Sequence, residues 1–203
     1  MKKLPIIAAL AIAALSPLAL KAQSTSSAQT TSLKMQIGVT YLGGYSDITD
    51  IYEKYGYEFS FKNPIGINVL LRQDFENGLG WDFNLGPAIM IKVDDYYGDS
   101  ATNYFLPLEA DVRYTFFPNK DITPYVRGGL RYIYVSSDTW DSDGLGFGAA
   151  VGVEFNHTKS FSYGFELSVS TAEIKADAYD DDWDVVEEKA KPCKFCITAY
   201  LAF

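Results

Sequence analysis

The sequence predicts an all-β fold: an eight-stranded antiparallel up-and-down transmembrane β-barrel with long extracellular loops and short periplasmic turns. Three observations predict it. Eight segments alternate apolar with polar or small residues, which is the period of a β-strand. The apolar set of every segment lacks Asp, Glu, Lys and Arg, whereas the alternate set carries most of the strand charge. The connections between segments run long, short, long, short, long, short, long.

Length and charge narrow the field first. A chain of 203 residues suits one domain, and a net charge of -9 lacks the basic footprint of a nucleic-acid binder. Residues 1–22 read as a signal peptide: Lys2 and Lys3 give a positive start, Leu4–Leu15 is apolar, and Pro17–Ala22 breaks the run before a cleavage region. The apolar run is short for a membrane span of about 20 residues. Residues 23–32, rich in Ser, Thr and Gln, read as a disordered lead-in. Residues 33–203 form the barrel domain. Beyond the leader no apolar run suits a transmembrane helix, so crossing a membrane requires a closed barrel.

The elements follow in order. Leu33, Met35, Ile37, Val39 and Tyr41 mark the first strand, and the long connection Gly43–Pro64 follows it. Within that connection, Tyr57–Phe61 is able to extend the next strand. Ile65, Ile67, Val69 and Leu71 mark the second strand. Glu76-Asn77-Gly78 is a tight turn, because Asn-Gly supplies the positive φ a hairpin needs. Leu79, Trp81, Phe83, Leu85, Ile89 and Ile91 mark the third strand, and Val93–Asn103 is a polar loop. Leu106–Val135 then forms two arms around the turn Phe117–Ile122. Leu108, Ala110, Val112, Tyr114 and Phe116 share a face on the first arm, and Val126, Gly128, Leu130, Tyr132 and Tyr134 do so on the second. Ser136–Asp143 is a loop. Leu145, Phe147, Ala149, Val151, Val153 and Phe155 mark the sixth strand, and Asn156–Lys159 is a turn. Phe161, Tyr163, Phe165, Leu167 and Val169 mark the seventh. The acidic loop Glu173–Pro192 leads to a last strand carrying Phe195, Ile197, Ala199, Leu201 and Phe203. An even strand count puts both ends of the barrel domain on the short-turn side.

The uncharged face suits lipid, where a charge at the midplane costs about 2–4 kcal/mol. A lipocalin-like soluble barrel would turn its bulky set inward. Here the bulky set is aromatic and aliphatic on nearly every strand, and the other set mixes charges with Gly, Ala and Ser. Small residues fit the crowded interior of an eight-stranded barrel. Aromatics also gather at the strand ends, as Phe75, Trp81, Phe116, Phe155, Phe161, Tyr163 and Phe203 on the turn side and Tyr41, Tyr132 and Tyr134 on the loop side. The lumen is therefore expected to hold an ion-pair network of Arg72, Asp82, Glu109, Asp111, Arg113, Arg127, Arg131, Glu154 and Glu166. Glu109, Asp111, Arg113, Arg127 and Arg131 form its centre. Lys34, Lys92 and Lys194 share that face, with Asp74 near the turn. Balanced signs can pair, whereas an unpaired buried charge is very costly.

The run Leu106-Pro107-Leu108 through Tyr114, then Pro124-Tyr125-Val126 through Gly129-Leu130, resembles the small eight-stranded outer-membrane proteins of Gram-negative bacteria, the OmpA/OmpX-like and OmpW-like group. The resemblance spans the whole chain after the leader. It implies a multi-pass protein of the outer membrane, contacting outer-membrane lipids and lipopolysaccharide. Ile197, Ala199, Leu201 and Phe203 resemble the group's C-terminal assembly signal, which the barrel-assembly machinery reads. The resemblance further implies a structural or surface-interaction role in adhesion or envelope integrity, through extracellular loops and an extracellular partner it does not name. The alternative it implies is a narrow pore or OmpW-like transport of small molecules.

The remaining motifs point away from catalysis, cofactors and metals. Lipid-hydrolysing barrels pair a Ser with a His, and the one histidine, His157, falls in a turn on the periplasmic side. Cys193 and Cys196 sit three apart; in a regular strand they lie about 10 Å apart, too far for a disulfide. They read as unpaired thiols, able to bond only if Pro192–Cys196 is a turn. The acidic loop, with Asp177, Asp180, Asp181, Asp182, Asp184, Glu187 and Glu188, matches no calcium-loop template and reads as a solvated surface loop. Trp140 and Trp183 are candidate loop contacts for a partner. Pro87 and Pro107 each remove a ladder donor, so a bulge or ladder break is expected near both.

Overall fold

The computed structural model describes residues 32–54, 65–94, 100–136, 141–179 and 185–203. Its elements are β1 (Ser32–Gly43), α1 (Ser46–Lys54), β2 (Ile65–Asp74), β3 (Leu79–Asp94), β4 (Ser100–Thr115), β5 (Ile122–Ser136), β6 (Asp141–Phe155), β7 (Ser162–Ser170), β8 (Ile174–Tyr179), β9 (Val185–Ala190) and β10 (Phe195–Ala202). Eight strands close into an antiparallel barrel in the order β1-β10-β7-β6-β5-β4-β3-β2. The seam pairs the two ends of the barrel: Met35 and Phe203 exchange backbone hydrogen bonds at 2.8 and 2.9 Å. Closure leaves the barrel itself without a free edge, as a span through lipid requires.

The alternation in the sequence becomes inside and outside. On β5, Val126 and Leu130 face out and Arg127 and Arg131 are buried. On β7, Tyr163, Phe165, Leu167 and Val169 face out while Ser162, Glu166 and Ser168 are buried. Aromatic pairs brace the turn side, with Phe155 stacked on Tyr163 and Tyr114 set edge-on to Phe116. The Asn77-Gly78 turn forms with Gly78 at φ 84°, and the Asn77 side chain accepts a hydrogen bond from the Leu79 amide at 3.0 Å.

Four connections differ from expectation. The first contains α1, whose first turn carries Asp47 near the N-terminal end of the helix dipole. Tyr57–Phe61 lies outside the described residues. The loop expected at Val93–Asn103 is mostly strand, because β3 runs to Asp94 and β4 begins at Ser100 in continuous register. Likewise β6 begins at Asp141, inside the loop expected at Ser136–Asp143. The acidic connection folds into the β8–β9 hairpin, a separate two-stranded sheet pairing Ile174 with Ala190.

Gly86-Pro87 does form a bulge. Register shifts there against both neighbours, between Leu85 and Ile89 toward β4 and between Ile67 and Val69 toward β2. Pro107 lies opposite Pro87 within the same break, between Phe105 and Leu108, and keeps its register with Ile133 on the β5 side. The bulge also corrects the face of Ile89. An inserted residue flips every side chain beyond it. Leu85 faces out, but Ile89 pairs with the buried Phe105 and packs inside the barrel rather than on lipid.

Candidate functional site

The lumen is the densest arrangement of functional groups among the described residues. Its inward face carries the cations Lys34, Arg72, Arg113, Arg127 and Arg131 and the carboxylates Asp74, Asp82, Glu109, Asp111, Glu154 and Glu166, all buried. Five cations against six carboxylates leave one formal negative charge.

These groups form two clusters, joined where Arg127 Nε lies 3.9 Å from Asp82. In the first, Arg72 donates to both carboxylate oxygens of Glu154, one at 2.6 Å, and its Nε lies 3.1 Å from Asp74. Lys34 Nζ donates to Glu154 at 3.2 Å and to the His157 carbonyl at 2.7 Å. His157 Nδ1 lies 3.3 Å from the same carboxylate. Arg113 donates to Asp82 at 3.0 Å and stacks over the Tyr125 ring, 3.5 Å from its centroid. In the second cluster Arg127 is the hub. It grips Glu166 with two donors, at 2.8 and 2.6 Å, reaches Glu109 at 2.8 Å and also bonds Asp111. Arg131 bonds Asp111 and lies 3.2 Å from Glu109. Tyr125 donates to Glu166 at 2.9 Å and Asn84 to Glu109 at 3.0 Å.

Every expected lumen residue thus lies in one of these clusters, but not in the expected grouping. Arg113 belongs with Asp82 in the first cluster, not with Glu109 and Asp111. Two further residues placed on this face by alternation stand differently. Lys194 sits in the turn before β10, exposed, and pairs with Asp47 of α1 at 2.7 Å; the turn carries it out of the strand register. The Lys92 side chain lies outside the described residues. Small residues on β6 make room for the filling: a Cβ at Gly148 would meet Arg131 Nε at 2.4 Å, and one at Gly152 would meet Tyr125 Cζ at 2.3 Å. The GlyxGlyxAlaxGly pattern of β6 is therefore the complement of the long side chains of β5.

Above the charges the inward face turns apolar. Phe105, Ile133 and Val135 continue the lumen-facing register of β4 and β5, with Leu42 from β1 and Cys196 from β10. Tyr45 and Ile48 from the α1 region, Ala172, Ile174 and Ala190 from the hairpin region and Cys193 close over them. Tyr45 meets Phe105 edge-on, with centroids 5.6 Å apart. Burial raises the Tyr45 phenol well above its ordinary value, so it stays neutral. The sequence reading missed this cap. Its signal was the exchange of Arg127 and Arg131 for Ile133 and Val135 along one face of one strand. Trp140 and Trp183 lie outside the described residues, as do Asp180, Asp181, Asp182 and Asp184.

Chemically the lumen is a set of opposed, buried ion pairs under an apolar lid, in which some polar atoms, among them both Asp74 carboxylate oxygens, lack a hydrogen-bond partner. His157 faces a carboxylate that is already engaged by Arg72 and Lys34. Among the described residues, no group of three or more His, Cys, Asp or Glu side chains is arranged to hold a metal ion.

Known proteins share this architecture. The outer membrane protein OprG from Pseudomonas aeruginosa matches with a TM-score of 0.58 at 12% identity, over 84% of this chain and 93% of that one. Outer Membrane Protein W of E. coli matches with a TM-score of 0.51 at 14% identity, over 88% of this chain and 100% of that one. At such identities the likeness concerns the fold. No curated protein matches the chain by sequence. Residues 6–186 match the family described as the outer membrane protein beta-barrel domain. With a closed eight-stranded barrel whose apolar face points outward, the chain belongs to that family, and its place is the outer membrane.

Proposed function

We propose that this protein is a non-enzymatic barrel with a filled lumen, serving a structural or surface-interaction role through what it presents above the outer rim. The observation that carries the reading is the filling. Arg127 joins carboxylates from β4 and β7, Arg72 reaches Glu154 on β6, and an apolar cap lies over both clusters. A solute would have to break desolvated ion pairs to pass, and leaving a buried charge unpaired costs several kcal/mol, about 3–5. His157 engages Glu154, which suits a structural role for the single histidine. The outward aromatic and aliphatic face fits outer-membrane lipid and lipopolysaccharide. Ile197, Ala199, Leu201 and Phe203 fit recognition by the barrel-assembly machinery during insertion.

Planar-bilayer recording of the full chain tests the reading. The expected result is the absence of sustained conductance. Stable single-channel steps that vanish on substitution of Arg127 would overturn it and favour transport.

A further inference from the structure

Cys193 and Cys196 are the two cysteines of the chain. In a continuous strand they would stand on opposite faces with Cα atoms about 10 Å apart. The backbone is not a continuous strand here. Residues 192–194 form a turn, and β10 starts only at Phe195. The turn is pressed against the junction of β1 and α1. A Cβ on Gly44 would meet the Lys191 carbonyl oxygen at 2.9 Å and Lys194 Cβ at 3.0 Å, so this close approach needs glycine. The turn brings the Cys193 side chain to the inward face that Cys196 already occupies. Both are buried in the same cluster of the cap, with Leu42, Tyr45, Ile133 and Val135, and both are free thiols in the structure. Two free thiols brought by a turn into one apolar cluster no longer face the opposite-side geometry that bars a disulfide in a continuous strand.

We propose that Cys193 and Cys196 are joined as a disulfide during export, and that this bond staples the turn between the β8–β9 hairpin and β10 into the cap. A protein bound for the outer membrane passes through an oxidising compartment while still unfolded. The oxidant is a disulfide of that compartment, carried by a protein or a small molecule. One thiolate of the pair attacks a donor sulfur, forms a mixed disulfide and releases one donor thiolate. The second thiolate attacks the mixed disulfide, closes the Sγ–Sγ bond and releases the other donor thiolate. Two protein thiols thus lose two electrons and two protons, and the donor disulfide becomes a dithiol. The exchange precedes burial: in the folded barrel the neighbouring Cys196 side chain and burial push the Cys193 thiol well above its ordinary value, leaving little thiolate to react. So short a loop constrains the unfolded chain little, and the bond acts by fixing the turn.

The test uses the full chain, taken from outer-membrane fractions with acid quenching so that thiol states are trapped. After denaturation it is treated with a maleimide-linked polyethylene glycol, with and without prior reduction. The expected result is no label before reduction, two labels after it, and an intact mass lighter by two hydrogens. The single variants Cys193→Ser and Cys196→Ser should each take one label without reduction. Full labelling of the wild type without reduction, or a disulfide-linked dimer, overturns the assignment. The stapling is read separately by trypsin cleavage at the exposed Lys189 and Lys194. A double Cys193→Ser/Cys196→Ser variant that keeps a heat-modifiable barrel should be cut severalfold faster than wild type. Equal rates overturn the stapling.

Discussion

The turn-side part of the lumen and its loop-side end are lined by the same register of the same strands, yet they are filled by opposite means. On β5 one inward face carries Arg127 and Arg131, then Ile133 and Val135. The charged part is filled by the barrel itself, through side chains that cross it: Glu166 of β7 meets Arg127 of β5, and Glu154 of β6 meets Arg72 of β2. The apolar end is filled by what lies between the strands, namely Tyr45, Ile48, Ile174, Ala190 and Cys193. Desolvated charges tolerate few geometries, so the first filling ties seven of the eight barrel strands, all but β10, to fixed partners. Apolar contacts are less directional, so the second can come from segments that dock after the barrel is closed. The expected consequence is a rigid, globally coupled plug beneath a locally removable cap.

The largest effect should follow from breaking the plug at its hub. Arg127→Met leaves Glu166 without its bidentate partner and strips one bond each from Glu109 and Asp111. Removing one partner of a buried pair costs about 3–5 kcal/mol, whereas removing both is far milder. Urea unfolding in detergent micelles should show a loss of that size for Arg127→Met. Adding Glu166→Gln should restore part of it. A wild-type midpoint in the single variant would mean that the plug does not couple the strands.

The two regions were also unequally legible in the sequence. Period-two alternation fixes which residues of a strand face the lumen, so Arg72, Glu109, Arg127 and Glu166 were recognisable as inward from their neighbours alone. Which charge meets which was not, since Arg72 and Glu154 are 82 positions apart and approach only once the barrel closes. Arg113 shows the cost of reasoning from one hairpin: its neighbours in sequence are Glu109 and Asp111, but its partner is Asp82 on the adjacent strand. The cap was less legible still. The bulge at Gly86-Pro87 reversed the face of Ile89, and α1 and the β8–β9 hairpin lie in polar, acidic sequence whose few buried residues, Ile48, Ile174 and Ala190, show no period. Their folding depends on a surface that other strands supply.

A cap built this way should come loose alone. Ile174 is fully buried where β8 packs into the cluster. Ile174→Ala should cost about 2–5 kcal/mol, the usual range for such a truncation. The loss should appear in hydrogen exchange of the β8–β9 amides while the urea midpoint of the barrel stays near wild type. A drop in that midpoint matching Arg127→Met would show that cap and plug unfold together, and the distinction between them would fail.

The smallest effect tests the hairpin's electrostatic attachment, and its sign is fixed by one carboxylate. Glu173 lies just before β8 and is partly exposed; Lys189 Nζ stands 3.1 Å from it and Lys191 Nζ 3.7 Å. The hydrogen bond from Lys189 holds the carboxyl below its ordinary value. A carboxyl with a depressed folded value stabilises its charged state, so the contribution is complete above the unfolded value of about 4.3 and disappears as pH falls through the folded value. Solvent screening keeps such an exposed pair weak, which is why it ranks last. Protection of the Ile174 to Ala190 ladder should therefore fall on acidification below about pH 4 more in wild type than in Glu173→Gln, because only the wild type has this charge to lose. The lumen carboxylates are common to both proteins and cancel in the difference. An identical pH profile in the two would show that the hairpin is held by Ile174 and its apolar neighbours alone.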